Sequence, residues 1–272
     1  MVELVSIGVL GTVPKYRKSI SKSQLRLLLI IFKFRFVSSE YIGNWFKKDK
    51  STIYERLSVL VSQGYIRKDY DNTYRLRLRP AVYSLTTKGI KYLRDGDIPL
   101  HEAALRNMYK NSSASLQLVD HSLNVFKLCL LLKNQYLDTF DIFTRSELSV
   151  FDDFIRPLPD LYLRRASTRS TKPSYQLESI EAGTYTWIIR KRLQAHQDFY
   201  EKSDRWNDNY PTLLFVCGNT NTEKRIQRLV LNSYFDFEVY TTTEERLNTN
   251  ETKAWLTDYD PDEDEEMELA GL

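Results

Sequence analysis

The chain has 272 residues, 42% hydrophobic and 28% charged, which excludes a disordered or fibrous protein and leaves one large or two medium globular domains. Only two cysteines occur, Cys129 and Cys217, both inside apolar runs, so a disulfide scaffold or a Cys-based zinc site is excluded. The net charge of +3 hides an uneven spread: residues 1–100 carry 19 Lys/Arg against 8 Asp/Glu, and residues 255–272 carry 8 acids and no base. A basic head and an acidic tail point to a polyanion-binding module whose charge is masked in cis or by a protein partner.

After an N-terminal arm (1–19), Leu25, Leu28, Leu29 and Phe32 fall at i, i+3, i+4, i+7, the spacing of one helix face. Ser38 or Ser39 is a cap for a second helix over Glu40 to Phe46. A third is expected to be capped by Ser51 and to run from Thr52 to Gln63, with Gly64 as its left-handed terminator. Tyr65 to Lys68 then reads as a strand, Asp71-Asn72 as a turn, Thr73 to Arg79 as a second strand and Val82 to Leu85 as a third. Thr86 caps a further helix to Leu93. Residues 20–94 therefore read as a winged helix-turn-helix.

A polar connector (95–115) precedes a long apolar helix at 116–134. Strands follow near 140–143, 161–164 and 175–180, then a helix at 184–202, a strand at 212–217, a helix at 223–232 and a strand at 237–241. Strands alternating with helices describe an α/β domain with a mixed sheet over 116–254, α+β overall with the first domain. The acidic tail (255–272) reads as disordered. The longest apolar runs, such as Leu27 to Phe32, fall far short of the roughly 20 residues a bilayer needs. The apolar start lacks a basic leader and carries Glu3, so a cytoplasmic protein without membrane contact is expected.

In a winged helix the third helix enters the major groove of duplex DNA. Its solvent face offers Thr52, Tyr54, Glu55, Arg56 and Ser62, with Ser51 at its start as a further DNA-binding candidate, behind a turn crowded with Lys47, Lys48 and Lys50. Arg56 is the candidate for a bidentate guanine contact, and the lysines are placed for phosphates. Arg67 and Lys68 add charge, and Arg75, Arg77 and Arg79 alternate with leucines, which puts three guanidinium groups on one face of a strand. Double-stranded DNA is the expected partner, bound without a cofactor by a monomer or a homodimer.

In the second domain Pro159-Asp160 opens one strand, and Glu178 and Glu181 lie on another 18 and 21 residues later. Asp160 with one of these glutamates has the chemistry of a Mg²⁺ pair. The pattern resembles the Pro-Asp…(Asp/Glu)-x-Lys core of the restriction-endonuclease-like fold, whose lysine assists the attacking water. That position is Ile180 or Gly183 here, and Lys191 on the following helix is the substitute amine. A Mg²⁺-dependent nuclease or nickase is thus the alternative function, and a protein-binding adaptor a third.

Asp120-His121-Ser122-Leu123-Asn124-Val125, Pro159-Asp160, Glu181-Ala182-Gly183-Thr184, a helix running into Tyr200 and Trp206, and the strand from Pro211 occur in a telling order. Over residues 20–232 the chain resembles the replication-relaxation family of bacterial plasmid and mobile-element proteins. The resemblance implies a DNA-binding regulator of plasmid replication, copy number or transcription with a nuclease-like domain. It departs at Ser179-Ile180-Glu181, where the family shows Glu-x-Asp, which weakens a metal-dependent reaction. His121 matches the family's helix histidine and is expected to be a hydrogen-bonded core residue.

Overall fold

The computed structural model describes residues 20–272 except 77, 97–99, 101, 137–138, 167–173, 203–209, 234, 250–252 and 258–268. The chain is mixed α/β and divides into two compact units, residues 1–130 with 145–152, and residues 131–144 with 153–272.

In the first unit the helices begin at side-chain caps. Ser21 and Gln24 form a capping box at the start of α1 (Lys22–Phe34), and Ser38 accepts from the Tyr41 N–H at the start of α2 (Ser39–Phe46). For α3 (Lys50–Ser62) the cap is Asp49, not the expected Ser51. Asp49 Oδ1 accepts from both the Ser51 N–H and the Ser51 hydroxyl, because a carboxylate offers more acceptor sites than a hydroxyl. The α2–α3 turn is tight: a Cβ on Gly43 would stand 2.9 Å from the Lys48 carbonyl oxygen. Gly64 ends α3 at φ 73°, as its position predicts.

Strands β1 (Val37–Ser38), β2 (Ile66–Asp69) and β3 (Val82–Leu85) form an antiparallel sheet in the order β1-β3-β2. The strand expected over 73–79 is absent from it. Asn72–Leu76 is instead a short helix, α4. Asp71 supplies the reason, since its Oδ1 accepts from the Tyr74 N–H and its carbonyl from the Arg75 N–H. Tyr74 then drops its ring into a buried cluster with Phe36, Val82 and Val119. Arg75 and Arg79 consequently do not share a strand face, and Arg77 lies outside the described residues.

Thr86 caps α5 (Thr87–Arg94), where Gly89 is obligatory because a Cβ there would lie 2.2 Å from the Tyr65 carbonyl oxygen. The polar connector holds a helix of its own, α6 (Glu102–Met108). Residues 116–130 of the long helix α7 (Leu116–Tyr136) belong to the first unit rather than to the second. The cause is aromatic: Phe126 stacks on Phe34 at 4.0 Å, with Trp45 and Tyr41 edge-on to it. The short helix α8 (Arg145–Leu148) also joins this unit, where Glu147 pairs with Lys33 at 3.0 Å.

The second unit is built on a seven-stranded mixed sheet in the order β10-β9-β8-β7-β6-β5-β4. β4 (Phe140–Thr144), β5 (Leu161–Arg165) and β6 (Tyr175–Ile180) form an antiparallel meander. β6, β7 (Thr212–Cys217) and β8 (Val239–Thr243) are parallel, joined through α9 (Thr186–Lys202) and α10 (Thr220–Leu231). Every residue of β7 is buried, as a central parallel strand requires. Its alternate side chains Leu213, Phe215 and Cys217 meet Ile189 and Leu193 of α9 and Ile226 of α10. After α11 (Glu244–Leu247), the region expected to be an acidic tail begins and ends in strands. Trp255 and Leu256 belong to β9 (Lys253–Leu256), and Leu269–Gly271 is β10, paired to it. Trp255 is fully buried and its indole N–H donates to the Tyr136 hydroxyl at 3.0 Å, so burial drives this segment into the sheet. The acidic run 258–268 lies outside the described residues.

Candidate nucleic-acid interface

On α3 the residues Ile53, Leu57 and Leu60 are buried, which turns Ser51, Tyr54, Glu55, Arg56 and Ser58 to solvent. Thr52 is half-buried. Lys47 and Lys48 in the preceding turn and Lys50, the first residue of α3, are all exposed. Lys47 holds a left-handed backbone, φ 51°, as the C-cap of α2, so it reverses the chain while keeping its side chain outside. None of Lys47, Lys48, Lys50 or Arg56 makes an ion pair among the described residues, so their charges are available to an outside anion.

Tyr54 ties α3 to the sheet beside it. Lys68 on β2 donates to the Tyr54 hydroxyl at 3.2 Å and lies 4.9 Å over its ring. The same ammonium stands 5.6 Å from the Tyr70 ring, and Arg75 covers Tyr70 at 5.4 Å. The Lys68 hydrogen bond and charge lower the Tyr54 phenol below its ordinary range, with a smaller contribution from Ser58. The result is an exposed run of alternating aromatic rings and cations from α3 to α4. Sequence alone offered no sign that Tyr70 belonged to it, because Arg75 reaches it from α4, a segment whose alternation reads as a strand.

Two other expected contacts are used internally. Arg67 pairs with Asp69 at 2.6 Å, and Arg79 pairs with Asp120 of α7 while lying over the Tyr74 ring. Arg79 is thus a strut inside the unit. Leu76 at the end of α4 and Leu78 just after it are 85% and 93% exposed, and Leu78 has φ 51°, a strained conformation for a bulky residue.

In the second unit the structure does bring Asp160 and Glu178 together. The Asp160 N–H donates to the Leu177 carbonyl, and Asp160 Oδ2 accepts from the Ser179 N–H at 2.8 Å, so Asp160 brackets Glu178. Both acids are buried. Glu178 Oε1, however, accepts two N–H groups of Arg192, whose third bond goes to the Pro157 carbonyl at 2.6 Å. His196 stands 3.7 Å from the same oxygen and shares a hydrogen bond with the Tyr210 hydroxyl at 2.9 Å. Burial lowers the His196 pKa, partly opposed by Glu178, and burial raises the Tyr210 phenol. Glu181 and Lys191 are exposed, beyond β6 and on α9.

This arrangement suits an ion pair and does not suit a divalent cation: a metal at Glu178 would be held beside a guanidinium charge. Among the described residues no group of three His, Cys, Asp or Glu side chains converges on a metal-sized site. The spacing Glu178–Arg192–His196 was present in the sequence, but only the β6–α9 crossover shows which of three adjacent cations, Arg190, Lys191 or Arg192, turns inward.

The chain matches no protein-family model, no curated protein and no solved structure. Among the described residues no helix is long and apolar enough to cross a membrane. The functional reading therefore rests on the geometry above.

Proposed function

We propose that the protein is a duplex-DNA-binding regulator whose first unit acts as a winged helix-turn-helix, with α3 in the major groove. The observation that carries the reading is the set of exposed cations Lys47, Lys48, Lys50 and Arg56 around the start of α3, which make no ion pair among the described residues. In this reading the three lysines meet phosphates, Arg56 reaches a guanine edge, and the Tyr54–Lys68–Tyr70–Arg75 run follows the backbone beside the groove. The segment between β2 and β3 is the wing, shorter in strand and richer in helix than a simple hairpin. The resemblance to the replication-relaxation family extends the proposal to control of plasmid or mobile-element replication, copy number or transcription.

The test is anisotropy titration of the full chain with labelled duplex fragments from the DNA around its own gene, at several salt concentrations. Affinity should fall steeply with salt, and Lys47→Ala with Lys48→Ala should reduce the logarithmic salt slope by about 0.9 for each lost phosphate contact. A salt-independent affinity would overturn the proposal.

A nuclease reading draws support from the order α7, antiparallel β4-β5-β6, crossover α9, parallel β7, and from the bracketing of Glu178 by Asp160. It requires Mg²⁺-dependent scission that Asp160→Asn abolishes. The Arg192–Glu178 pair weighs against it.

A further inference from the structure

Tyr185 and Trp187, at the start of α9, are 69% and 62% exposed, the most exposed aromatic side chains among the described residues. Ile188 beside them is 42% exposed. Neither ring makes a contact with another ring or a cation among the described residues. Leaving this much aromatic surface in water forfeits the burial that such side chains ordinarily find, so a ligand that covers it gains it back.

The charge around the rings narrows the ligand. Trp187, Arg190 and Lys191 stand at i, i+3 and i+4, one face of the helix. Both cations are exposed and make no ion pair among the described residues, in contrast to Arg192, which turns inward to Glu178. The first turn of α9 contains no acid, and Glu181 in the preceding turn is the nearest exposed one in sequence. The patch is also too small for a stable protein interface. Two aromatic side chains of about 150–250 Å² each, two-thirds exposed, offer on the order of 300 Å², against about 800 Å² per partner.

The platform is held rigidly. Arg225 of α10 donates to the carbonyls of Thr184 at 3.0 Å and Ala182 at 3.3 Å, and the Thr222 hydroxyl donates to Ala182 at 3.2 Å. The Gly218 N–H donates to the Ile180 carbonyl, and a Cβ on Gly218 would stand 2.7 Å from the Ala182 nitrogen. A turn whose backbone is already pinned leaves only the side chains to be ordered at the moment of binding.

We propose that the start of α9 is a single-stranded DNA contact, in which Trp187 and Tyr185 stack unpaired bases and Arg190 and Lys191 take the neighbouring phosphates. Flat aromatic surface with adjacent cations is the chemistry of a single strand, whose base faces are open; a duplex hides them. The contact shares no residue with the duplex site proposed for the first unit.

The experiment uses the full chain carrying Lys47→Ala and Lys48→Ala, titrated with a fluorescein-labelled oligo-dT of about 15 nucleotides, a length near the upper end of such sites. Binding should quench tryptophan fluorescence. Adding Trp187→Ala should weaken dT affinity about tenfold and remove most of the quench, and Trp187→Phe should restore most of the affinity. Arg190→Ala with Lys191→Ala should flatten the salt slope by about 0.7 per phosphate released. Unchanged dT affinity in Trp187→Ala overturns the proposal. So does a Trp187→Ala chain whose sedimentation shows an oligomer dissociating, which would make the patch a subunit contact. Duplex affinity measured alongside in the chain with Lys47 and Lys48 intact should not respond to Trp187→Ala, so the two sites stand or fall separately.

Discussion

The start of α3 in the first unit and the buried carboxylates of the second treat positive charge in opposite ways. Among the described residues the cations around α3, Lys47, Lys48, Lys50 and Arg56, stand in solvent without ion pairs, and Lys68 is tied to tyrosines alone. In the second unit the guanidinium groups of Arg192 and Arg246 are turned inward onto Glu178 and Glu223, carboxylates that are almost fully buried. Arg246 forks onto both oxygens of Glu223 at 2.7 and 3.1 Å. A charge that is paired in a low-dielectric interior braces a fold, whereas one left hydrated at the surface stays open to an outside anion. Composition cannot distinguish these uses, because both are counted as one arginine.

The contrast can be broken most forcefully from the buried side. Arg246→Ala and Arg192→Ala each leave a buried carboxylate uncompensated, and chemical denaturation should report a loss of about 3–5 kcal/mol for each. Lys47→Ala, on the exposed side, should leave the denaturation midpoint unchanged. A smaller but more specific effect is expected at α3. Arg56→Ala should reduce discrimination between specific and scrambled duplexes by about 1–3 kcal/mol while leaving non-specific affinity nearly intact. Equal losses on both duplexes would move Arg56 from a base contact to a phosphate contact.

His196 sharpens the comparison through pH. It is enclosed by Glu178, Arg192 and Tyr210, and its folded pKa lies below the ordinary 6.5. The unfolded chain therefore binds this proton more readily than the folded one as pH falls through and below about 6.5, so protonation removes stability on acidification. Denaturation midpoints at pH 8 and pH 5.5 should differ less in His196→Gln than in the parent. An identical pH dependence would place the titration elsewhere. The smallest effect is expected in the first unit, where Leu78→Gly relieves the φ 51° conformation and should raise stability by about 0.5–1 kcal/mol.

Several elements were legible in the chain because local patterns dictate them. The apolar spacing of α1 and α3, Gly64 after α3, Thr86 before α5 and the apolar run Leu213 to Cys217 in β7 each contain their own cause. The Asp71–Leu76 segment misled for an equally physical reason. Thr73 to Arg79 alternates like a strand, yet one carboxylate at Asp71 and one buried ring at Tyr74 favour a helical turn there. Trp255 similarly pulls residues read as an acidic tail into the sheet.

By itself the sequence determined the mixed α/β class, the basic first unit and the candidates Lys47, Lys48, Lys50 and Arg56, since charge and periodicity are local properties. Only the tertiary structure decided which cations remain available. Arg79 meets Asp120, Arg192 meets Glu178, and Phe126 carries the first part of α7 into the first unit. Those partners are distant in the chain, and an ion pair or a stacked ring is chosen by proximity after folding, which no spacing within a single segment encodes.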